Sequence, residues 1–271
     1  MVNADVDTLS QRLHAKQILV APGVYDALTA VVAERSGFEM VFLSGSAVAA
    51  SQFGRPDVGL VTMSEMGEIL ERIADRISIP IFVDADSGFG NAIQVARTVR
   101  GFERAGAAAI QIEDQINTKS MSEIGKHPLI AKEAMVGKVK AALDARTKSC
   151  TLISARTDAV FTEGTSLALE RAHAYADAGA DIVFMAGLMD ASDLETAVRQ
   201  LSTQVFLLFN RPSEDGPSPA RLERLGFSIV LFPATVLHAS VNAVWQAMQV
   251  LADKKGPELS TVTASDFVEL N

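Results

Sequence analysis

Two apolar runs decide the fold: Ile81-Phe82-Val83-Asp84-Ala85-Asp86-Ser87-Gly88-Phe89-Gly90 and Ile110-Gln111-Ile112-Glu113-Asp114, separated by a helical pattern that closes at Ala105-Gly106-Ala107. Each run reads as a buried strand that ends in carboxylates. An Asp-x-Asp at a strand end, before a glycine-rich turn, is unfavourable unless something positive is held there. A hard divalent cation fits that need, Mg2+ first and Mn2+ as the alternative, because it takes oxygen ligands and keeps several waters.

The same unit repeats outward from this pair. Further β-rich runs lie at Ile18–Ala21, Met40–Leu43, Leu152–Ala155, Ile182–Met185, Val205–Phe209 and Ile229–Phe232. Together they predict about eight strands, each followed by an amphipathic helix. The runs are too continuously apolar for half-exposed strands, so they suit a parallel sheet covered on both faces. Ser36-Gly37-Phe38, Ala105-Gly106-Ala107, Ala178-Gly179-Ala180 and Leu225-Gly226-Phe227 each close a helix and lead into a strand. Eight such units predict an α/β fold, a (β/α)8 TIM-type barrel over residues 1–271 as one domain, with its chemistry on the loops after the strands. An open doubly wound sheet is the competitor. Its dinucleotide fingerprint fails, because Gly88-Phe89-Gly90 is followed by Ile93 where a third glycine belongs. Long connections are expected around Gly45–Met63 and Gln115–Ala131. A last helix is expected over about Thr235–Ala252; the 235–271 segment is expected at a subunit interface, its tail after Lys255 either folding onto a neighbouring subunit or fraying.

The chain has 271 residues and a formal net charge of −9, so neither nucleic acid nor an anionic membrane is an expected partner. One cysteine, Cys150, excludes an intrachain disulfide, and Met1–Gln11 has no apolar signal core. No apolar run approaches a membrane span. The expected location is the cytoplasm.

Asp84, Asp86 and Glu113 come from adjacent strand ends and form the expected metal site. Capping by Asp86 or Ser87 of a helix beginning near Asn91 would explain one acid, not three. Zinc is disfavoured, since no two of the four histidines have ligand spacing. His14, His173 and His238 fall in helical patterns and read as structural. His127 precedes Pro128 in a long loop; it is either solvated or able to move over the site. Ser44-Gly45-Ser46 after the second strand either offers backbone N–H groups to a carboxylate or forms a tight turn. Tyr25 either serves a proton or packs at a helix start. Arg156 either grips a substrate carboxylate with two parallel bonds or pairs with Asp158 or Glu113. Asn210 and Arg211 end the seventh strand and are further carboxylate-binding candidates. The glycine-rich phosphate cradle common after strands seven and eight of barrels is missing, which favours carboxylate over phosphate.

These positions together resemble the isocitrate lyase/phosphoenolpyruvate mutase superfamily over about Val20 to Trp245. The landmarks are Pro22-Gly23-Val24-Tyr25-Asp26-Ala27, Leu43-Ser44-Gly45-Ser46, Val83-Asp84-Ala85-Asp86-Ser87-Gly88-Phe89-Gly90, Ile112-Glu113-Asp114-Gln115 and Ala155-Arg156-Thr157-Asp158. The resemblance implies a barrel whose eighth helix is exchanged between subunits, usually in a homotetramer. It also implies Mg2+ and small-molecule 2-oxo or 2-hydroxy acid substrates. By the same resemblance Ser44, Gly45 and Ser46 are the carboxylate cradle, and Asp57 an acid of the loop after strand two. Asp86 is the main metal ligand, and Asp84 and Glu113 support the metal's waters. Arg156 binds substrate, and Tyr25 lies beside the reacting carbon.

Two departures bear on the reaction. Carbon–carbon lyases of this group carry Lys-Lys/Arg-Cys-Gly-His on the loop after strand four. Here Lys119-Ser120-Met121-Ser122-Glu123 stands in that place. A thioether cannot transfer a proton, so Met121 cannot replace the cysteine; Glu123 and His127 are the candidate substitute acids. Lyases also place a glutamate after strand six, where this chain has Ala186-Gly187. Both departures argue against a true isocitrate or methylisocitrate lyase. The expected activity is a Mg2+-dependent lyase that cleaves a C–C bond of a 2-oxo or 2-hydroxy dicarboxylic acid through a pyruvate enolate, acting on oxaloacetate or an alkylmalate. Two alternatives stand beside it: a P–C bond enzyme like phosphoenolpyruvate mutase or phosphonopyruvate hydrolase, and a non-catalytic barrel that binds metal and diacid.

Overall fold

The computed structural model describes residues 6–15, 17–116, 126–211 and 216–253. Eight strands, β1 (Leu19–Val24), β2 (Val41–Leu43), β3 (Ile81–Asp84), β4 (Ala109–Glu113), β5 (Leu152–Thr157), β6 (Ile182–Met185), β7 (Phe206–Asn210) and β8 (Ile229–Phe232), pair in parallel in sequence order and close β8 onto β1. The described helices are α1 (Val6–His14), α2 (Ala27–Arg35), α3 (Gly45–Phe53), α4 (Met63–Ala74), α5 (Ala92–Ala105), α6 (Lys132–Ala145), α7 (Ala159–Thr162), α8 (Thr165–Asp177), α9 (Ala191–Leu201), α10 (Pro219–Leu225) and α11 (Thr235–Ala252). The expected (β/α)8 barrel is present. Gly37, Gly106, Gly179 and Gly226, read as helix-ending positions, have φ between 85° and 112°.

Several strands run further than their apolar cores. β4 reaches Glu113, which pairs with Arg156 of β5, and β7 reaches Asn210, which pairs with Leu231. Backbone pairing does not depend on side-chain polarity, so a reading that stops at the last apolar residue stops short. β1 likewise passes through Pro22 and Gly23. Gly23 is required there: a Cβ would lie 2.1 Å from the carbonyl oxygen of Pro233, just beyond β8. The expected long connection after β2 is partly helix. Gly45-Ser46-Ala47-Val48-Ala49-Ala50 forms α3, capped by Ser44, because a run rich in Ala behind a Ser cap favours helix.

Two apolar layers result. Inside the barrel, Leu19, Met40, Phe42, Phe82, Leu152, Phe184, Leu208 and Ile229 pack with Leu9 and Leu13 of α1. That places α1 across the end where the strands begin. The second layer lies between the outer strand faces and the surrounding helices. Among the described residues no helix is long and apolar enough to cross a membrane.

Glu103 at the end of α5 is buried and accepts from Thr147 N (2.8 Å), Thr147 Oγ1 (3.0 Å) and Lys148 N (3.1 Å). Burial works to raise its pKa, but these donors together outweigh burial and hold it below the ordinary value. A depressed carboxyl contributes stability above its unfolded pKa and loses it as pH falls. Glu103→Ala should therefore lower unfolding free energy by about 1–3 kcal/mol at pH 7, with the difference shrinking below about pH 4.3, measured by urea titration at both pH values. Gly23→Ala should be the more damaging change, abolishing the soluble folded protein or lowering its melting temperature sharply, because backbone rather than a flexible side chain is in the way.

Candidate active site

Side chains alternate across each strand, so the barrel interior can be followed upward from its apolar layer. Phe82 leads to Asp84 on β3, Ala109 to Gln111 and Glu113 on β4, Leu152 to Ser154 and Arg156 on β5, and Leu208 to Asn210 on β7. The interior therefore turns from apolar to polar toward the strand ends. Asp84 stands opposite Gln111, Gln111 opposite Ser154, and Glu113 opposite Arg156.

The two aspartates converge. Asp84 Oδ1 accepts from the Asp86 backbone N–H (3.2 Å) and from Gln111 Nε2 (3.4 Å). Asp86 has φ of 47°, a left-handed conformation uncommon for a residue with a side chain. Its carbonyl accepts the N–H of Glu113 at 2.8 Å, which locks that turn to the end of β4. A Cβ on Gly45 would meet Asp84 Oδ2 at 3.3 Å and Asp86 Oδ2 at 3.7 Å. Both carboxylates thus face one locus beside the first turn of α3. Lys138 of α6 braces the turn from behind, its buried ammonium donating to the Ser87 carbonyl at 2.8 Å. Burial lowers the Lys138 pKa, against the opposing charges of Glu113 and Asp114. Neither Asp86 nor Ser87 caps α5: Asn91 does so, in a capping box with Gln94.

Ser44 caps α3; its Oγ accepts from Ala47 N (3.4 Å) and lies 3.1 Å from Ser46 Oγ. The Ser44-Gly45-Ser46 segment is thus a helix N-terminus, whose amides favour an anion. Arg156 makes both of the ion pairs foreseen for it. Nε and Nη2 grip Asp158 at 2.9 and 2.8 Å, and Nη1 lies 3.2 Å from Glu113 Oε2. Its guanidinium also stacks over Phe184, 5.3 Å from the ring centroid. Burial works against the Arg156 charge, yet Asp158 and Glu113 raise its pKa well above the ordinary value. Burial would likewise raise Asp158, but the Arg156 charge, with His127, holds that carboxyl far below the usual range. Two of the five N–H donors of Arg156 are spent on Asp158 and its Nη1 end faces Glu113, so a ligand there would share the guanidinium with these carboxylates.

The remaining predicted residues divide. Asn210 ends β7 half-buried, and its Oδ1 has no hydrogen-bond partner; Gln111 Oε1 and Ser154 Oγ are buried in the same condition. Buried orphans of this kind on inward-facing strand positions mark a place for a polar ligand. Asp57 sits half-buried between α3 and α4. Tyr25 is buried, and its hydroxyl donates to Ser240 Oγ of α11 at 2.9 Å, so the phenol is tied to the last helix. His127 does not extend freely over the mouth: Nδ1 lies 3.2 Å from Asp158 Oδ1 and the ring stacks on Phe161 at 4.4 Å. Glu123, with Lys119 and Met121, lies outside the described residues. At the end of β6, Ala186 is buried, and Gly187 has φ of 85° with a Cβ position 2.6 Å from the Phe161 ring. The sequence reading did not single out Gln111 or Lys138, and it offered the Asp158 pair only as the alternative to substrate binding by Arg156. Asp158 had a signal, since Arg-x-Asp at a strand end sets both side chains on one side.

Among the described residues no three His, Cys, Asp or Glu side chains form a ready-made metal cage. The donor set that is present, two carboxylates on one locus plus nearby orphan oxygens, fits Mg2+, which binds through one or two carboxylates and keeps its waters.

The family model described as phosphoenolpyruvate phosphomutase matches residues 9–252. The chain belongs to the phosphoenolpyruvate phosphomutase family. Within it, the chain is 39% identical to 2,3-dimethylmalate lyase of Eubacterium barkeri, covering 97% of this chain and 92% of that protein. It is 42% identical to 2-methylisocitrate lyase of Aeropyrum pernix over 91% of this chain and 79% of the relative. A crystal structure of 2,3-dimethylmalate lyase, described as a PEP mutase/isocitrate lyase superfamily member, superposes with a TM-score of 0.92 at 34% identity, covering 100% and 92% of the two chains. A structure of phosphonopyruvate hydrolase in complex with oxalate and Mg2+ gives 0.88 at 28% identity, covering 100% and 95%. The superfamily expected from the sequence motifs is therefore the family to which the chain belongs.

Asp86→Ala should weaken Mn2+ binding by about 10–100-fold, read by electron paramagnetic resonance on the protein without substrate. Its far-UV circular dichroism should remain that of the wild type, so that lost affinity reports the site and not the fold. Unchanged Mn2+ affinity would remove Asp86 from the site.

Proposed function

We propose that this chain is a Mg2+-dependent lyase, with Mn2+ as an alternative ion, that cleaves a carbon–carbon bond of a 2-oxo or 2-hydroxy dicarboxylic acid. The observation that carries this reading is the convergence of Asp84 and Asp86 on the Gly45 edge of the barrel mouth, in a chain whose relatives include a lyase of an alkylated diacid and one of an alkylated triacid. Asp84 and Asp86 would hold the cation, with Glu113 supporting its waters. When bound, the cation supplies Lewis-acid stabilisation of the negative charge that develops on the substrate oxygens. The amides of Gly45 and Ser46 and the Nη1 end of Arg156 orient the substrate carboxylate. Asn210 lines the opposite strand end and directs its amide at the substrate, and Asp57 closes the side nearest α3.

Cleavage leaves an electron pair on the third carbon that must be protonated. Tyr25 Oη or solvent is the proton source that this reading favours, and Glu123 and His127 of the 115–131 loop are the alternatives. Met121 in place of a loop cysteine directs the substrate preference away from methylisocitrate, toward an alkylmalate or a decarboxylating 2-oxo diacid. The apolar outer face of α11, with Val241, Val244, Trp245, Met248 and Leu251 exposed, supports its placement at a subunit interface of a homo-oligomer, a tetramer by family resemblance. The cytoplasm is the location this reading assigns.

The test is a coupled assay for pyruvate with 2,3-dimethylmalate, oxaloacetate, 2-methylisocitrate and phosphonopyruvate, with and without EDTA. Turnover of a diacid that EDTA abolishes, exceeding phosphonopyruvate by about tenfold or more, is the expected result. Faster release from phosphonopyruvate would establish the P–C reading instead. Binding of oxalate and Mg2+ without turnover of any of the four would favour a non-catalytic barrel.

A further inference from the structure

A partly buried ionic cluster lies outside the barrel wall, behind Arg156, with Asp114, Arg171 and Tyr175 buried and Glu163 at its exposed edge. Arg171 of α8 is its hub. Nε and Nη2 form a fork with Glu163 Oε2 and Oε1, both at 2.8 Å. Nη1 donates to the carbonyl of Ile130 at 3.0 Å and lies 3.4 Å from Asp114 Oδ2. The Tyr175 hydroxyl, one helical turn along α8, donates to the same Asp114 oxygen at 2.7 Å.

The link to Arg156 runs through Asp114. Asp114 Oδ1 accepts the backbone N–H of Asp158 at 3.1 Å, and the Asp114 N–H donates to the Arg156 carbonyl at 3.1 Å. Asp158 supplies the fork that aims the guanidinium of Arg156. Glu163 follows α7, the helical turn that begins at Asp158. Ile130 is on the returning limb of the 115–131 loop and donates its own N–H to the Asp114 carbonyl at 2.9 Å.

Packing alone does not account for this cluster. Buried charges are expensive to desolvate, and apolar side chains of similar volume would fill the space at least as well. The particular contacts are directional and tie three separate segments to one guanidinium.

We propose that Arg171, acting through Asp114 and Asp158 with Tyr175 as its support, is a positioning residue that sets the aim of Arg156 at the substrate carboxylate. The inference rests on the proposed role of Arg156.

The test uses the full chain with Mg2+ and oxalate as the probe, by calorimetry, together with steady-state kinetics on the diacid it turns over. Arg171→Lys keeps a charge but cannot hold Glu163, Ile130 and Asp114 together. It should weaken oxalate binding and raise KM by about three- to thirtyfold while kcat changes less. Tyr175→Phe, the milder variant that keeps the fold if Arg171→Lys does not, should act in the same direction. Arg156→Lys is the reference. Oxalate binding weakened by Arg156→Lys and by the Arg171 or Tyr175 variant, with the double variant no weaker than Arg156→Lys alone, is the expected result. Wild-type oxalate affinity in the Arg171 and Tyr175 variants, with Arg156→Lys weakened, overturns the positioning role and leaves the Arg156 reading standing. Additive losses in the double variant also overturn it, since the effect would not pass through Arg156. Unaltered affinity in Arg156→Lys removes Arg156 from the site and this proposal with it.

Discussion

The fork between Arg156 and Asp158 is the interaction on which the barrel mouth depends. Arg156 is half-buried at the end of β5, with the buried carboxylates of Glu113 on one side and Asp158 on the other. Losing one partner of a buried ion pair leaves an uncompensated charge, at about 3–5 kcal/mol. Neither side chain can therefore swing away, and the guanidinium becomes a fixed feature of the site. That fixity is what a ligand-orienting group needs, since binding then carries little reorganisation.

The scaffold below makes the fork possible. Strand alternation and the parallel register bring Asp84, Gln111, Ser154, Glu113 and Arg156 into neighbouring positions around one rim. The apolar layer from Leu19 to Ile229, plugged by Leu9 and Leu13, keeps water from below. Because the polar residues lie above a dry layer, their electrostatic effects are strengthened. The left-handed turn at Asp86 then brings a second carboxylate to the locus of the first, at the expense of local backbone strain.

Much of this was legible from the order of residues. Eight apolar runs of strand length, the helix-ending glycines and the acids at two strand ends imply the barrel and its active end, because they reflect local periodicity and local conformation. What sequence could not reveal is tertiary. Both the functional and the structural readings of Arg156 were open, and the structure supplies both ion pairs at once. The hydroxyl of Tyr25 meets Ser240, 215 residues away in the chain, a contact that depends on where α11 lies. Gln111 and Lys138 look like ordinary members of a strand and a helix until the register and the Ser87 carbonyl give them partners. His127 had two open readings, and Phe161 with Asp158 accounts for the position it takes.

Charge balance connects the pieces. At the mouth, Asp84, Asp86, Glu113 and Asp158 stand against Arg156, with Lys138 braced on the far side of the turn. Of these six groups four are acids, and the whole chain carries −9. Arg156 is shared, since two carboxylates of its own chain already lie against it. In the proposed reading a dication held by Asp84 and Asp86 would add positive charge beside the substrate carboxylate, so cation and diacid would favour each other's binding.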